Sequence, residues 1–431
     1  MKKNIFLFFI FILFSGFAEE KLNLRECIRI AIENNLKLKA VQNKIEVAYY
    51  QKEIAQKYKL PTLSTSFNYT YLGDNEGVIF NGFPPMKFTE DNIFVLKFTI
   101  NYPLYTGGKI EKSYQIAKEN YEKSKIDFEN EIANLIFDVE KAYYNILKIK
   151  KFLETGLKYK ENLEKHLSDA KKLFNEGLVT KLDILKTEVA LKNAETRIIE
   201  TENYLKIAKS NLNFILNRPL EYEFEIEDIL EKLEEKKDYN WWKETALRER
   251  GEIKSMEKLI SIYRKNIDIE KSNLYPQIFI FLNYNIEKGS QTSISNWDTN
   301  WNAGFLFSFN IWDWGQTKDK IKKAEKEKEE IEKQFDLIKN SIEIEVKNAY
   351  LNFLSAESKI EENKKQIELA EENLRIANLL YNQGLATNTD VIDAITMLTE
   401  AKNNYYSFLY EYKMSYIQLL KASGLLKWEE K

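Results

Sequence analysis

Two long stretches of the chain carry apolar residues at alternating spacings of three and four. The first lies between Gly108 and Gly177 and contains one internal glycine, Gly156, while the second, between Gly315 and Gly384, contains no glycine or proline. This spacing predicts one continuous helix in each stretch, with a seam typical of a coiled coil. Since each residue adds 1.5 Å, such a helix reaches about 100 Å and must project away from whatever anchors it.

The seam of the second helix is apolar at all but two positions, and the same positions 207 residues earlier give a matching seam with more polar interruptions. The two helices are therefore predicted to be copies in register. The seam positions of the second helix are Ile321, Ala324, Lys328, Ile331, Phe335, Ile338, Ile342, Val346, Ala349, Phe353, Ala356, Ile360, Asn363, Ile367, Ala370, Leu374, Ala377 and Tyr381.

The repeat extends beyond the helices. "NEGLVTKLD" at 175–183 and "NQGLATNTD" at 382–390 share five of nine letters, again 207 residues apart. Upstream, Pro61 and Pro276 lie 215 residues apart, so the first copy carries 8 extra residues, for which the polar segment 73–91 is the predicted loop. Such a repeat overrides a domain count based on length, and the chain is predicted to be a duplicated unit.

Four segments of about ten residues alternate large apolar with mostly small polar side chains and predict strands. A soluble hairpin that packs its apolar face on a core would explain them. A lipid-facing barrel around water would explain them too, but such barrels begin at about eight strands, so it would need twelve strands in a trimer or eight in a dimer. The segments are 62–72, 92–105, 277–286 and 300–312.

The first residues are organised like a secretory signal, with Lys2 and Lys3, an apolar run at 5–14 and small residues up to Ala18, where we expect cleavage. The only cysteine, Cys27, lies inside the first helical pattern, which predicts neither a lipid anchor nor a disulfide; a packing role suits it. No later stretch approaches 18 apolar residues, so membrane insertion after export would use strands.

Charge and motifs exclude several classes of function. The net charge of -3 becomes -5 without the two signal lysines and shows no basic stripe, so nucleic acid is not an expected partner. The sequence has no glycine-rich phosphate loop and no Ser/His/Asp set, and we expect neither an enzyme nor a cofactor. The only histidine, His166, lies mid-helix among Lys and Glu, where a metal site with several ligands is not expected.

The order of these parts predicts two similar repeats, each with a helix, a strand pair, a long helix, a hairpin tip and a return helix. An acidic segment, in which Trp241 and Trp242 are candidate anchors, links them. The predicted parts are the signal peptide 1–18, the first repeat 19–218 with long helix 109–176 and tip 177–183, the acidic segment 219–245, the second repeat 246–424 with long helix 316–383 and tip 384–390, and the tail 425–431.

This arrangement resembles the outer-membrane efflux protein family, the TolC-like channels, over the whole mature chain. The opening "LNLRECIRIAIENNLKLKAV" is similar to the family's first helix, although the family often has proline at the position of Leu36. The resemblance implies a mainly α fold with a β part: a homotrimer with a 12-stranded transmembrane β-barrel in outer-membrane lipid and a periplasmic α-barrel. It also implies that the acidic segment forms a belt around the tunnel, where a solvated linker is the simpler interpretation.

The resemblance further implies a passive exit duct of a tripartite efflux pump or a type I secretion system. Its partners would be a periplasmic adaptor and an inner-membrane transporter, and it would bind no cofactor and catalyse nothing. A structural or adhesive coiled-coil protein of the cell surface is the alternative, since long heptad helices serve both. A stalk, however, has no need of four amphipathic strands in two matched hairpins.

The repeated phrase itself predicts a helix-to-helix hairpin tip. A glycine in the left-handed region would end one helix, and a threonine three residues before an aspartate would cap the next. The six residues are Gly177, Thr180 and Asp183 in the first tip and Gly384, Thr387 and Asp390 in the second.

One position breaks the symmetry of the tips. Asp393 has Lys186 as its counterpart, and it lies three residues after Asp390 on one helical face. A trimer would gather six such carboxylates at one constriction, and carboxylate rings favour cations. The resemblance implies that Asp390 and Asp393 line the periplasmic aperture, where we expect them to set cation selectivity and divalent-cation block.

The resemblance assigns two further roles at the tips. Asp183 and Tyr381 match positions of a polar network that closes the aperture, although Ala386 stands where some members have an arginine. A second set matches the surface that adaptors contact, while each member also has an ordinary turn role. This set is Gly177, Leu178, Thr180, Gly384, Leu385 and Thr387.

Overall fold

The computed structural model describes residues 20–73, 77, 81–82, 84, 86, 88–228, 237–290 and 296–428. The predicted signal peptide and much of the predicted loop at 73–91 lie outside the described residues. Two compact units divide the chain: Met1–Ala40 with Asn130–Arg250 and Ile342–Lys431, and Val41–Glu129 with Gly251–Ser341. Each unit takes pieces from both copies of the repeat.

The helices come in four pairs of equal length, with 11, 22, 67 and 35 residues. Members of a pair start 215 residues apart before the strands and 207 apart after them, which agrees with the duplication. In chain order the elements are β1 Glu20–Leu22, α1 Leu24–Asn34, α2 Leu36–Lys57, β2 Thr62–Tyr71, β3 Asn92–Tyr105, α3 Lys109–Asn175, α4 Lys181–Ile215, β4 Phe224–Ile226, α5 Tyr239–Glu249, α6 Gly251–Ser272, β5 Gln277–Lys288, β6 Asp298–Ser308, α7 Gln316–Asn382 and α8 Asn388–Ala422.

The last strand is shorter than predicted. β6 ends at Ser308, whereas the alternation of apolar residues extended to 312. Ser308 pairs with Gln277, the first residue of β5. Since Pro276 precedes it and has no N–H to donate, the ladder has no partner beyond that point.

The described parts of the acidic segment, 219–228 and 237–245, are more structured than a linker, while 229–236 lies outside the described residues. Phe224–Ile226 forms β4, which pairs in parallel with β1 and buries Phe224 completely. Helix α5 begins at Tyr239, inside the segment predicted as 219–245, and buries Trp242, while Trp241 stays 39% exposed. Of the two candidate anchors, Trp242 is the packed one.

The seam predicted for the second long helix is confirmed. Apart from Thr317 at the helix start, every buried residue of α7 lies on a predicted seam position. The buried seam residues are Ala324, Ile331, Ile342, Val346, Ala349, Phe353, Ala356, Asn363, Ala377 and Tyr381.

Helix α3 follows its predicted seam only in part. It buries Leu135, Val139 and Ala170 on the seam, but also Tyr143 and His166 off it. The Tyr143 side chain is fully buried, and its hydroxyl donates to the carbonyl oxygen of Glu227 at 2.7 Å, just past β4. Contacts with other elements therefore widen the buried face of α3 beyond one stripe.

The four longer strands form one antiparallel sheet in the order β2-β3-β5-β6. Residues that pair directly across strands share a face, so the register defines two unlike surfaces. One row of the apolar face is Leu63, Ile100, Leu282 and Ala303, and the neighbouring row of the polar face is Ser64, Thr99, Asn283 and Asn302. Within the described residues, β2 and β6 each have one unpaired edge.

No helix in the described ranges combines the length and the apolar composition needed to cross a membrane.

Candidate functional site

Both hairpins turn through the same set of backbone hydrogen bonds. At the first tip the amide of Leu178 donates to the carbonyl of Leu173 and that of Gly177 to the carbonyl of Phe174, both at 2.9 Å. The amide of Leu385 makes the corresponding bond to Leu380 at the second tip, also at 2.9 Å. This is the Schellman arrangement, which satisfies the last carbonyl groups of the long helices.

Glycine is required at the turn because of its backbone and not because of crowding. Gly177 has φ 75° and Gly384 has φ 71°, in the left-handed region that side chains disfavour. A Cβ atom at either position would meet nothing within 4 Å. The turn leaves Leu178 66% and Leu385 73% exposed, so each turn presents a leucine to solvent, and the first tip also exposes Leu182.

The next helices start with matching capping boxes, as the sequence predicts. The Thr180 hydroxyl donates to Asp183 Oδ2 at 2.7 Å, and the Thr180 amide donates to the same oxygen at 2.9 Å. At the second tip, Thr387 makes both bonds to Asp390 Oδ2 at 2.7 Å. These bonds hold the pKa of each aspartate below its ordinary value, first through the hydroxyl and then through the backbone amide.

The two aspartates of the second tip differ in what they contact. Both are exposed on α8, three residues apart. Asp390 uses one carboxylate oxygen in its capping box. Within the described part of the chain, Asp393 has neither a hydrogen bond nor an ion pair. Its carboxylate is therefore available to mobile ions, and its counterpart Lys186 is exposed on α4.

The proposed closing pair is close but not hydrogen-bonded within one chain. Tyr381 is buried at 3% exposure, and its hydroxyl has no hydrogen-bond partner among the described residues. Burial raises the pKa of Tyr381, and the charge of Asp183 raises it further. Ala386, at the position of the missing arginine, packs against an apolar cluster that includes Tyr381.

That apolar cluster joins both hairpins at the base of the tips. It draws on α3, α4, α7 and α8, so the two hairpins pack as one four-helix end. Its buried members are Leu163, Ala170, Ala194, Ala377, Tyr381, Val391, Ala394 and Ile395.

A buried polar cluster lies beside it, and the sequence did not predict it as a site. We call His166, Thr187, Tyr381 and Asn388 the tip polar cluster. The His166 Nε2 and Asn388 Oδ1 atoms are 2.7 Å apart, and Thr187 Oγ1 lies 3.0 Å from the same Asn388 oxygen. The His166 and Tyr381 rings are 4.8 Å apart between centroids.

A signal for this cluster was present in the repeat. Each member differs in chemistry from the residue at the matching position of the other copy, 207 residues away. The counterparts of His166, Thr187, Tyr381 and Asn388 are Asn373, Ala394, Phe174 and Lys181. The comparison that singled out Asp393 against Lys186 would have found the cluster as well.

The tips present their chemistry on a surface. Nowhere in the described ranges do three His, Cys, Asp or Glu side chains converge to hold a metal ion. The tips offer exposed carboxylates and exposed leucines, supported by a buried cluster that ties the hairpins together. Such a site can attract cations and dock a partner.

Comparison with known proteins gives the same assignment along nearly the whole chain. The sequence model of a family described as "Outer membrane efflux protein" matches residues 27–218 and 242–425. The chain is 20% identical over 413 residues to the alkaline protease secretion protein AprF of Pseudomonas aeruginosa, covering 94% of this chain and 85% of that protein. It is also 20% identical over 434 residues to the outer membrane protein TolC of Escherichia coli, covering 96% and 85%.

Solved structures share the fold. The outer membrane protein VceC of Vibrio cholerae superposes with a TM-score of 0.79 at 15% identity, covering 93% of this chain and 96% of that one. The open state of the Neisseria gonorrhoeae MtrE outer membrane channel gives a TM-score of 0.73 at 20% identity, covering 94% and 89%.

The capping boxes lead to a local prediction. Replacing Thr387 by alanine removes the acceptor for the Asp390 amide and should cost about 1 kcal/mol, the usual loss of a threonine cap. Amide hydrogen exchange in the first turn of α8 should then speed up about fivefold, while Thr387→Ser should exchange as the wild type. Thr180→Ala should produce the same change at the start of α4 only. Equal exchange in Thr387→Ala and Thr387→Ser would contradict the capping role.

Proposed function

The chain belongs to the outer membrane efflux protein family, and on that premise we propose that it is a passive exit duct across the outer membrane and periplasm. It would serve a tripartite efflux pump or a type I secretion system, with cargo delivered by an inner-membrane transporter. One relative, AprF, is named as a secretion protein, and the solved neighbour MtrE is an outer membrane channel. The feature that carries the proposal is the sheet. It has one apolar face, an opposite face with rows of bonded polar side chains beside Phe279, Phe281 and Leu306, and two edges that are open within the described residues.

The apolar face exposes several large side chains to solvent, which is unfavourable in water. Leu63, Phe67, Trp301 and Phe305 are 71, 64, 71 and 75% exposed on it. An apolar patch of this size on a monomer marks an interaction surface. Strands of this length with aromatic residues along one face are typical of the lipid contact of outer-membrane barrels.

The polar face supports the opposite environment. Thr99 donates to Asn283 at 2.9 Å, and Asn283 donates to Asn302 at 2.9 Å, so one row of amide and hydroxyl groups crosses three strands. In the next row, Asn285 donates to Asn300 at 2.8 Å. Hydrogen-bonded rows of this kind suit a water-filled lumen, because lipid offers no partner for their remaining polar groups.

The open edges call for further copies of the chain. β2 and β6 each leave backbone N–H and C=O groups unpaired along one side, which is costly in lipid. Pairing β6 of one copy with β2 of the next satisfies both edges and repeats around a ring. Since barrels of this type need about eight strands or more, we propose a homotrimer with twelve.

The tips fit the other end of such a duct. Each repeat of the proposed division, 19–218 and 246–424, would supply one hairpin to a periplasmic α-barrel. Leu178 and Leu385 would be the apolar points at which a periplasmic adaptor docks, because rigid turns hold them in solvent. Asp183 and Tyr381 would act in closure, the charge of Asp183 facing a tyrosine whose hydroxyl is still unpaired.

The surface-stalk alternative is not favoured. A stalk has no use for a sheet with a bonded polar face opposite an exposed aromatic face. A duct needs both faces.

The direct test is conductance. Purified protein in detergent should have the mass of three chains and should open ion-conducting channels in planar bilayers. Heat-dissociated protein at the same concentration is the control for detergent leaks. A monomer that conducts no ions would contradict the proposal and favour the stalk.

We also propose that Asp390 and Asp393 set the ion selectivity of the aperture. In the trimer, Asp390→Asn with Asp393→Asn removes six negative charges, while the asparagine oxygen at 390 keeps an acceptor for the Thr387 cap. Cation preference should fall and block by divalent cations should weaken, because carboxylate rings attract cations. Reversal potentials across a salt gradient, with and without added divalent cation, measure both effects.

The repeat offers matched controls for charge and for capping. Lys186→Gln changes charge at the counterpart of Asp393, and Asp183→Asn changes the capping aspartate of the first tip. Asp393→Lys, which places the residue of the first tip at this position, should lower the cation preference most strongly. If the Asp390 and Asp393 double variant kept wild-type selectivity and divalent block, the assignment would be wrong.

A further inference from the structure

The tip polar cluster connects both hairpins through buried polar side chains. His166 comes from α3, Thr187 from α4, Tyr381 from α7 and Asn388 from the first turn of α8, two residues before Asp390. The exposures of these four side chains are 3, 0, 3 and 3%. Anything that alters the cluster therefore acts at the start of the helix that carries Asp390 and Asp393.

The orientation of the Asn388 amide sets the tautomer of the histidine. In the structure Asn388 Oδ1 lies 2.7 Å from His166 Nε2. With the amide oriented this way, the neutral ring carries its proton on Nε2 and donates it to Asn388. A second proton, on Nδ1, would leave this bond in place and add a full positive charge to the cluster.

The surroundings of His166 disfavour that charge. Burial lowers the pKa of His166 below its ordinary value of 6.5, although the bond to Asn388 and the charge of Asp169, one turn along α3, oppose the shift. From α7 the ring meets Tyr381, on which the charges of Asp183 and Asp169 also act. From α8 the ring contacts the uncharged Asn388, to which the uncharged Thr187 of α4 also bonds.

The cluster is also incomplete in a way that suits movement. The Tyr381 hydroxyl and Asn388 Nδ2 are buried without a hydrogen-bond partner among the described residues. Such groups cost free energy while they are buried without a hydrogen-bond partner. Water would supply the missing hydrogen bonds if the hairpins separated. The hairpins are therefore held together by the apolar cluster and by a small set of bonds, and the bond between His166 and Asn388 is the shortest within the tip polar cluster.

Because the two copies of the repeat differ at these four positions, the tip polar cluster belongs to one contact between hairpins only. At the matching positions the other copy has Asn373, Ala394, Phe174 and Lys181, and Phe174 is 40% exposed where Tyr381 is buried. A contact built from those residues would contain a lysine and no histidine. Hence the contact between the two hairpins of one chain is the one that a proton on His166 would alter.

We propose that His166 is a positioning residue of the aperture: its neutral ring fixes Asn388 and the start of α8, and the positive charge that protonation adds to the buried cluster releases the two hairpins so that the duct opens. This inference rests on the proposed channel function. It adds a proton as the regulating ligand, and it adds His166 to the residues that act at the aperture.

The direction with pH follows from the depressed pKa. A released hairpin, in which the ring meets water, binds a proton more readily than the closed cluster. The closed state is therefore fully favoured above about pH 6.5 and loses stability as pH falls through that value toward the lower pKa of the buried ring. For one proton in each chain, the shift is at most about tenfold per pH unit.

The test is single-channel recording of the purified full-length protein at pH 7.5 and pH 5.5. The wild type should be mostly closed at the higher pH and open more often at the lower. His166→Gln keeps a donor for Asn388 but does not titrate, so it should stay closed at both. His166→Ala should open at both, and Asn373→Ala, the matched position of the other copy, should behave as the wild type.

A second measurement does not depend on channel activity. Amide hydrogen exchange in the first turn of α8, corrected for the intrinsic effect of pH, should lose protection between pH 7.5 and 5.5 in the wild type but not in His166→Gln. The inference is overturned if His166→Gln keeps the wild-type pH response in exchange or in recording. Absence of any conductance in the wild type would instead count against the channel, and exchange would still decide the role of His166.

Discussion

Within the described residues, the sheet of this protein leaves its apolar face uncovered and its two edge strands unpaired on one side. Its apolar face exposes Trp301 and Phe305 at 71 and 75%, which demands a cover of lipid or protein. Its edges on β2 and β6 demand hydrogen-bond partners. A ring of copies in a membrane meets both demands at once, and the polar rows through Asn283 then enclose water. The proposed oligomer, its place in the membrane and its pore all rest on the same constraint.

The helical tips show how a duplicated chain acquires separate chemistry at equivalent places. The turns are alike because the Schellman bonds and the capping boxes depend on Gly, Thr and Asp, which both copies keep. The differences lie at positions that leave the turn intact. Asp393 is exposed, and Lys186 stands at the matching position of the first copy. Asn388 is buried, whereas Lys181 at its matching position is exposed. Shared geometry thus holds a charge and a polar joint that only one copy contributes.

Much of the fold could be predicted from periodicity because the repeat doubles every signal. The α7 seam was correct because the contacts that α5 adds to this helix, such as Lys243 with Glu343, leave the α7 residues they touch unburied, so burial still follows the seam. The α3 seam was incomplete because β1, β4 and the tip polar cluster add contacts from other directions, burying Tyr143 and His166. The end of β6 was misplaced because strand length depends on the partner, and Pro276 stops the partner. His166 was judged by its charged neighbours in sequence, whereas its environment is set by residues 222 positions away.

The central claim is that the second hairpin tip lines the pore. Replacing Asp393 by cysteine tests it directly, because the native Cys27 is fully buried and leaves the new thiols as the reactive ones. Three thiolates in one constriction would bind a soft cation such as Cd²⁺. Single-channel recording should show block of the Asp393→Cys channels by micromolar Cd²⁺, reversed by a chelator, with no effect on the wild type. Asp393→Cys channels that conduct normally and ignore Cd²⁺ would contradict the account.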